Sequence, residues 1–586
     1  MHQVSRNDFL LRLEKTPVIF DFILNLCYFS AQRKRGIFYL PTLNRTKRYE
    51  MHEETVMHDL KAKGLKKGSV SKWAAVTIGL AATAPAYSLT GALGYGAAGS
   101  GYQLPIVFIL SVIPMFFVAL SYKHLTTSAP DAGTIFTWGT KAVGPKFGWF
   151  GGWALLLASV LAGVAATQIM VNAAAVIFHL TTIPKWFHIG VAGLFIFSTT
   201  YLTALGAKES SRTTMILTIA QYGILIALAA FLLLRVTQGG AVSTAQTFSL
   251  EWFNPFAIDS FTAFLDGFLI ALFIFWGFDA SLAMSEETEG SAEQAGRSGI
   301  ISMIITVITY VVFSTTALAY AGIDSHHQSS LTFKDNIDSS ITVLATDIIG
   351  TKGASIAALI IGVSAFSATM STIMPAARAA LAMATYRAIP KRFSSVNEAT
   401  QTPKFATWFI GLMTLIIYST LSLISESIIK DTIHSVSIAI CTYYSVAALS
   451  CALYFHRTAL NHWGTAVSQV LLPTMAAVVL IAVGIFQVWN MIDPNYGSSG
   501  SIAGIGAVFL IGVVALFLGI PLMMWCYFRD PRFFHGETLP LERAHIVPDS
   551  NSDNTSYTTI PCHLSESSLS HPTEQIELSI KDERNP

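Results

Sequence analysis

The segment Ile78–Gly91 reads IGLAATAPAYSLTG, and it lies inside a longer stretch, Trp73–Tyr102, that carries no charged residue. About 20 apolar residues make one helical crossing of a bilayer, so the stretch is long enough to span. Its centre nevertheless holds Thr83, Ala84, Pro85 and Ala86, with Gly79 and Gly91 on either side. Proline removes a backbone N–H and clashes with the preceding turn. An unpaired backbone group at membrane depth costs several kcal/mol, so a helix weakened at its midpoint needs a compensating purpose.

Composition supports the membrane setting. The 586-residue chain is 52% hydrophobic and 12% charged, with net charge +1 and mean hydropathy +0.54. A soluble domain carries about 25% charged residues, so the fold class read here is an all-α integral membrane protein. The near-zero net charge argues against a nucleic-acid partner. The five cysteines, Cys27, Cys441, Cys451, Cys526 and Cys562, have neither metal-site nor disulfide spacing and read as packing residues; no metal or cofactor is expected.

Apolar segments recur near residues 73–96, 104–122, 147–174, 186–205, 213–234, 261–285, 300–321, 354–377, 405–425, 432–455, 467–488 and 501–528. That makes about twelve transmembrane helices in a transporter domain, 73–528. With both termini on one side, the short loops of that side carry eleven Lys or Arg, against five on the other. The basic run Lys61, Lys63, Lys66, Lys67 before the first span agrees, so both termini are assigned to the cytoplasm. Residues 1–72 form an N-terminal tail, of which 1–50 are either an extension, with an apolar patch Val18–Phe29 too short to span, or sequence upstream of a misplaced start. The Ser-, Thr- and Pro-rich residues 529–586 read as a disordered cytoplasmic tail.

A second interruption explains the first. The sixth span contains FIFWGFDASLAMSEE, Phe273–Glu287, with Gly277 at mid-membrane and Asp279 just after it. A carboxylate at that depth costs about 2.5–3.5 kcal/mol on insertion scales. It either caps the second half of a broken helix or lines a water-filled site. Breaks in spans one and six, five spans apart, are the pattern of a 5+5 inverted repeat with discontinuous helices, leaving spans eleven and twelve outside it. The N-terminal ends of half-helices attract a carboxylate and the C-terminal ends a cation. A zwitterionic amino acid carries both.

These residues resemble those of the amino acid–polyamine–organocation (APC) superfamily, whose members have the LeuT-type fold. The family's first helix follows a pattern like I-G-x-x-I-G-[ST]-G-I-F-x-L-x-G; here Ile78, Gly79, Leu89 and Gly91 fit, while Thr83-Ala84-Pro85 replaces the central Gly-Ser/Thr-Gly. SAPDAGTIFTWGTKAVGPKFGWFGGW (Ser128–Trp153) is similar to the family's P-x-G-G-x-Y stretch, its G-P and its G-W. GFDASLAMSEE places Asp279 on the family's acidic position, and ARAALAMATYRAIPKRF (Ala377–Phe393) resembles A-x-R-x-x-x-A-M-A-R-D-G-x-[LI]-P.

The resemblance implies a permease of the plasma membrane that binds substrate around Thr83, Ala84, Pro85, Ala86, Phe273, Phe275, Trp276, Gly277 and Asp279, with an aromatic gate at Phe273. It implies ion or coupling positions at Ser367, Thr369 and Ser371, and at Gln221, where several proton-coupled members have a lysine. Glutamine does not titrate, so Na+ coupling, exchange, or H+ coupling through Asp279 remain open. The leading expectation is a secondary transporter of amino acids by alternating access. The alternatives are a carrier of polyamines or other organic cations, or a channel. A membrane enzyme is disfavoured by the lack of convergent His, Cys or acid groups and of any HExxH or nucleotide motif.

Overall fold

In a computed structural model the described residues run from 63 to 541, with gaps at 181, 240–241, 243, 335, 338, 425–427, 460–461, 494–500 and 503–504. The segments 1–62 and 542–586, which hold the N-terminal extension and most of the C-terminal tail, lie outside the described residues.

The protein is an all-α membrane bundle. Among the described residues, ten helical stretches are long and apolar enough to cross a bilayer. One of them, Lys72–Ser128, contains two crossings, and the broken sixth span completes twelve. Span 1 is Lys72–Thr83 plus Pro85–Ser100, span 2 Leu104–Ser128, span 3 Pro145–Ile177, span 4 Lys185–Ala204 and span 5 Ala207–Thr237. Span 6 is Phe261–Ile274 followed by the 3-10 turn Phe278–Met284. Spans 7 to 10 are Ala292–Ala321, Thr351–Thr385, Lys404–Ile424 and Ile428–Ala459. Spans 11 and 12 are Trp463–Met491 and Leu510–Arg529. Extended pairing among the described residues is confined to a hairpin of Ser501–Ile502 with Ile505–Gly506 and a single bridge between Val70 and Thr288.

Both expected breaks are present. Thr83 ends the first half of span 1, Ala84 turns left-handed at φ 45°, and Pro85 starts the second half. Pro85 suits that first helical position, where its missing N–H would have had no intrahelical partner. In span 6, Gly277 is left-handed at φ 112°. The two breaks touch: a Cβ on Gly277 would lie 2.7 Å from the Ala82 carbonyl carbon. Glycine is required there twice over, by backbone conformation and by space.

Both described chain ends lie on the same face of the bundle, called the terminal face here. Part of the segment read as a disordered tail is ordered. Phe533 is fully buried, its ring 5.2 Å from that of Phe136, and Thr538 donates to the Tyr386 carbonyl at 2.6 Å. Two aromatic side chains within three residues, Phe533 and Phe534, supply the apolar area that a Ser- and Pro-rich composition hides. The opposite face is covered by the turns Leu250–Phe253 and Pro255–Ala257, where Trp252 stacks on Tyr102 at 5.1 Å, and by the short helix Ser340–Ile349.

Gly277→Ala is expected to destabilise the fold by roughly 1–3 kcal/mol for the backbone strain alone, with the clash at Ala82 adding to it. Gly193→Ala, where no atom lies within 4 Å of the new Cβ, serves as the control. Melting temperatures in detergent compare the two; equal values would show that the breaks do not depend on this contact.

Candidate functional site

The break of span 1 leaves carbonyl and amide groups that the helix cannot pair. The Thr83 carbonyl accepts from Ser88 Oγ at 2.7 Å and from the Tyr310 hydroxyl of span 7 at 2.8 Å. Thr83 Oγ1 also sits 3.2 Å from Thr306 Oγ1, which meets the Tyr222 hydroxyl. On the other half-helix, the Tyr87 N–H donates to Ser364 Oγ of span 8 at 3.1 Å. The break is therefore held by hydroxyls from spans 7 and 8.

Beside it lies a small cavity, with room for about one water. It is lined by Ala82, Tyr87 and Ser88 of span 1, Ala162 and Ala166 of span 3, Trp276 of span 6, and Ala368, Thr369 and Thr372 of span 8. No charged side chain is among them.

The expected site residues divide. Thr83, Ala84, Pro85, Ala86 and Gly277 form the two breaks, and Trp276 and Thr369 line the cavity. Phe275 does not: its ring is buried against Phe108 and Tyr310, at 6.1 and 5.5 Å. The side chain of Phe273 lies outside the described residues. Gln221, fully buried, donates to Ser367 Oγ at 3.3 Å, so spans 5 and 8 meet where the resemblance placed the coupling position. Gln221 Oε1 and Ser371 Oγ have no partner among the described residues.

Asp279 is not among the residues that line the cavity. It is buried, and its partners are three tyrosines. Tyr444 donates to Oδ1 at 2.9 Å, and Tyr443 and Tyr122 to Oδ2 at 3.2 and 3.4 Å. Tyr443 also accepts from Trp276 Nε1. An ionised carboxylate is acceptor-only, and this donor set suits it without a counter-cation. Sequence reading missed Tyr122, Tyr443 and Tyr444. The signal was there: a Tyr-Tyr pair inside an apolar span carries two hydroxyls that need partners at membrane depth.

The terminal face is closed by buried charge. Lys63, read from sequence as part of a surface basic flank, is buried between Asp131, at 2.7 Å, and Glu286, at 2.5 Å. Asp131 also accepts from the Gly133 N–H at 2.6 Å, Thr137 Oγ1 at 2.9 Å and the Tyr386 hydroxyl at 2.9 Å. Glu286 takes the Ala132 N–H at 2.9 Å. Next to it Glu287 pairs with Arg378 of span 8, both buried. The segment before span 1, the loop between spans 2 and 3, and the ends of spans 6 and 8 are thus tied together.

Burial alone would lower the Lys63 pKa, but Asp131 and Glu286 outweigh it and hold the ammonium above its ordinary value. For Asp131 burial also opposes ionisation, and Lys63 with the surrounding donors overcomes it and holds the carboxyl below its ordinary value. Glu286, where burial dominates, lies above its ordinary value. Lys63 contributes stability below the ordinary lysine range, lost as pH rises through its raised pKa. Asp131 contributes above the ordinary aspartate range, lost as pH falls through its lowered one. The pair is intact across neutral pH.

Comparison with known proteins agrees with this architecture. The profile of the family described as amino acid permease matches residues 69–527. The chain belongs to the amino acid permease family. The permease is 27% identical over 354 residues to the branched-chain amino acid permease BcaP of Bacillus subtilis (strain 168), covering 56% of this chain and 69% of that protein. It is 26% identical over 342 residues to the cationic amino acid transporter 3, mitochondrial, of Arabidopsis thaliana, covering 54% of this chain and 52% of that one. A shorter match, 24% over 211 residues, is to the low-affinity putrescine importer PlaP of Escherichia coli (strain K12), covering 36% and 44%. These are APC-superfamily transporters, as the motifs at spans 1, 3, 6 and 8 implied.

Removing one partner of a buried ion pair costs roughly 3–5 kcal/mol. Lys63→Met is expected to lower stability on that scale, while Lys66→Met, at an exposed position, changes little. The difference in melting temperature between Lys63→Met and wild type should shrink as pH falls, because Asp131 and Glu286, left buried without their cation, then take up protons. Equal stability of the two variants would mean that the cluster contributes nothing.

Proposed function

We propose that the permease is a secondary active transporter of small, neutral amino acids, working by alternating access. The observation that carries this is the meeting of the two breaks beside a small cavity, whose walls include Ala82, Ala162, Ala166, Ala368, Trp276 and hydroxyl residues. Backbone at a half-helix end would serve the substrate's α-carboxylate and α-ammonium. Of the amides at the start of the second half of span 1, Pro85 has none and Tyr87 donates to Ser364, which leaves Ala86 to meet the carboxylate. The four alanines Ala82, Ala162, Ala166 and Ala368 would face a small apolar side chain once the cavity, now the size of about one water, widens. A polyamine or cationic amino acid would want a carboxylate in the wall, and Asp279 is turned to its tyrosines instead.

With the lysine-rich terminal face assigned to the cytoplasm, the ion-pair cluster at Lys63 closes the inner side. On this reading the described conformation is closed toward the cytoplasm by these ion pairs. The plasma membrane is the proposed location, and residues 1–50 the proposed dispensable part. Deleting 1–50 should leave uptake unchanged, because Lys63 and the loops that set orientation remain. Loss of uptake with normal expression would give that segment a role.

Gln221 holds Ser367 without a titrating group, so transport should depend weakly on an imposed proton gradient. Asp279→Asn is expected to reduce uptake by roughly tenfold or more, on the scale of a hydrogen bond to a buried charge, about 1.5–3 kcal/mol. Uptake of labelled neutral amino acids into proteoliposomes, with a proton gradient, a sodium gradient or only counter-substrate, tests both. Strong proton-driven accumulation that persists in Asp279→Asn would place coupling elsewhere.

A further inference from the structure

We infer that Tyr443 and Tyr444, with Tyr122, determine the charge selectivity of the permease: they occupy the Asp279 carboxylate, and Tyr443 also holds the Trp276 indole as an apolar wall. The inference rests on the cavity being the substrate site.

A carboxylate offers about four acceptor positions. Three are taken here, and both oxygens are engaged, Oδ1 by Tyr444 and Oδ2 by Tyr443 and Tyr122. The Tyr443 hydroxyl faces two ways: it donates to Asp279 and accepts from Trp276 Nε1. Trp276 lines the cavity while its only polar atom is used on the far side. The carboxylate therefore acts on the cavity through Tyr443 and the indole and is absent from the wall itself.

The tyrosines cannot swing aside at low cost. All three are fully buried, and they come from spans 2 and 10, not from the broken helix they support. Their rings pack on one another, Tyr443 on Tyr444 at 4.5 Å and Tyr122 on Tyr444 at 6.0 Å between centroids. Phe278 lies 5.4 Å from Tyr444, and Trp138 lies 5.3 Å from Tyr122. A cationic side chain entering the cavity would meet no counter-charge, and an unpaired charge in a dry site is strongly disfavoured. To reach Asp279 it would have to displace a phenol, and taking the bond from Tyr443 also releases the indole. Neutral side chains face neither cost. Tyr122, Tyr443 and Tyr444 are positioning residues: they act through Asp279 and Trp276.

The test is counterflow uptake of labelled leucine or alanine into proteoliposomes of the purified full chain, with lysine, putrescine or phenylalanine as competitors. Wild type is expected to ignore excess lysine and putrescine. Tyr443→Phe and Tyr444→Phe each free an acceptor position on Asp279, and lysine should then compete about tenfold better relative to the neutral substrate. Tyr443→Phe alone should also admit phenylalanine, because it unpins Trp276. Adding Asp279→Asn to Tyr444→Phe should abolish the gain toward lysine. Tyr418→Phe, which removes a buried hydroxyl bonded to Gln168 away from this site, should keep the wild-type profile. Phe variants that transport with unchanged competition would overturn the inference, as would wild-type uptake blocked by lysine as readily as by a neutral competitor. If neither Phe variant folds, the wild-type competition profile decides. Wild type that takes up no amino acid would defeat the substrate reading itself, a result distinct from neutral uptake with unaltered selectivity.

Discussion

Gly277 presses its backbone against the Ala82 carbonyl, and the centre of the permease is organised by that contact. Hydrocarbon has no water with which to satisfy a freed amide or carbonyl, so an interrupted helix persists only where protein groups replace the lost bonds. Here two interruptions share one place. The groups freed in span 1 are met by hydroxyls of Ser88, Tyr310 and Ser364, and the amide freed at Gly277 meets the Tyr444 hydroxyl at 3.4 Å. What remains beside the junction is a small cavity lined by alanines, hydroxyl residues and Trp276.

Charge is handled in two ways along the membrane normal. At the terminal face, Lys63, Asp131, Glu286, Glu287 and Arg378 form ion pairs that tie four parts of the chain together. At the midplane, the described partners of the Asp279 side chain are hydroxyls. Closing ion pairs toward the chain ends can open and re-form as water reaches them, which suits a gate. A carboxylate wrapped by three phenols has no such freedom, which suits a support. The location of each kind follows from where solvent could enter a bundle that opens to one side at a time.

The family's relatives carry names that span branched-chain, cationic and polyamine substrates. Such breadth on one scaffold is expected when the helix breaks serve the part that amino acids share and a few wall residues choose among side chains. In this chain the cavity beside the breaks is lined by Ala82, Ala162, Ala166, Ala368 and Trp276 among others, and no carboxylate is among its lining residues.

The sequence by itself determined the membrane class, the all-α architecture and the location of both breaks. These features are local: a run of about 20 apolar residues, a proline or glycine at its middle, a lone acid. Partners were not legible. Lys63 reads as one more basic residue before a span until folding places it between Asp131 and Glu286, which lie far along the chain. Phe275 and Trp276 are adjacent aromatic residues, and only packing sends one to Phe108 and the other to the cavity. The segment around Phe533 follows the same rule, since its order comes from the surface it finds at Phe136 and Tyr386. Asp279 shows the physical reason most directly. Its cost could be read from one residue, but what offsets that cost depends on hydroxyls more than 150 residues away in sequence. Only the tertiary structure brings them within bonding distance.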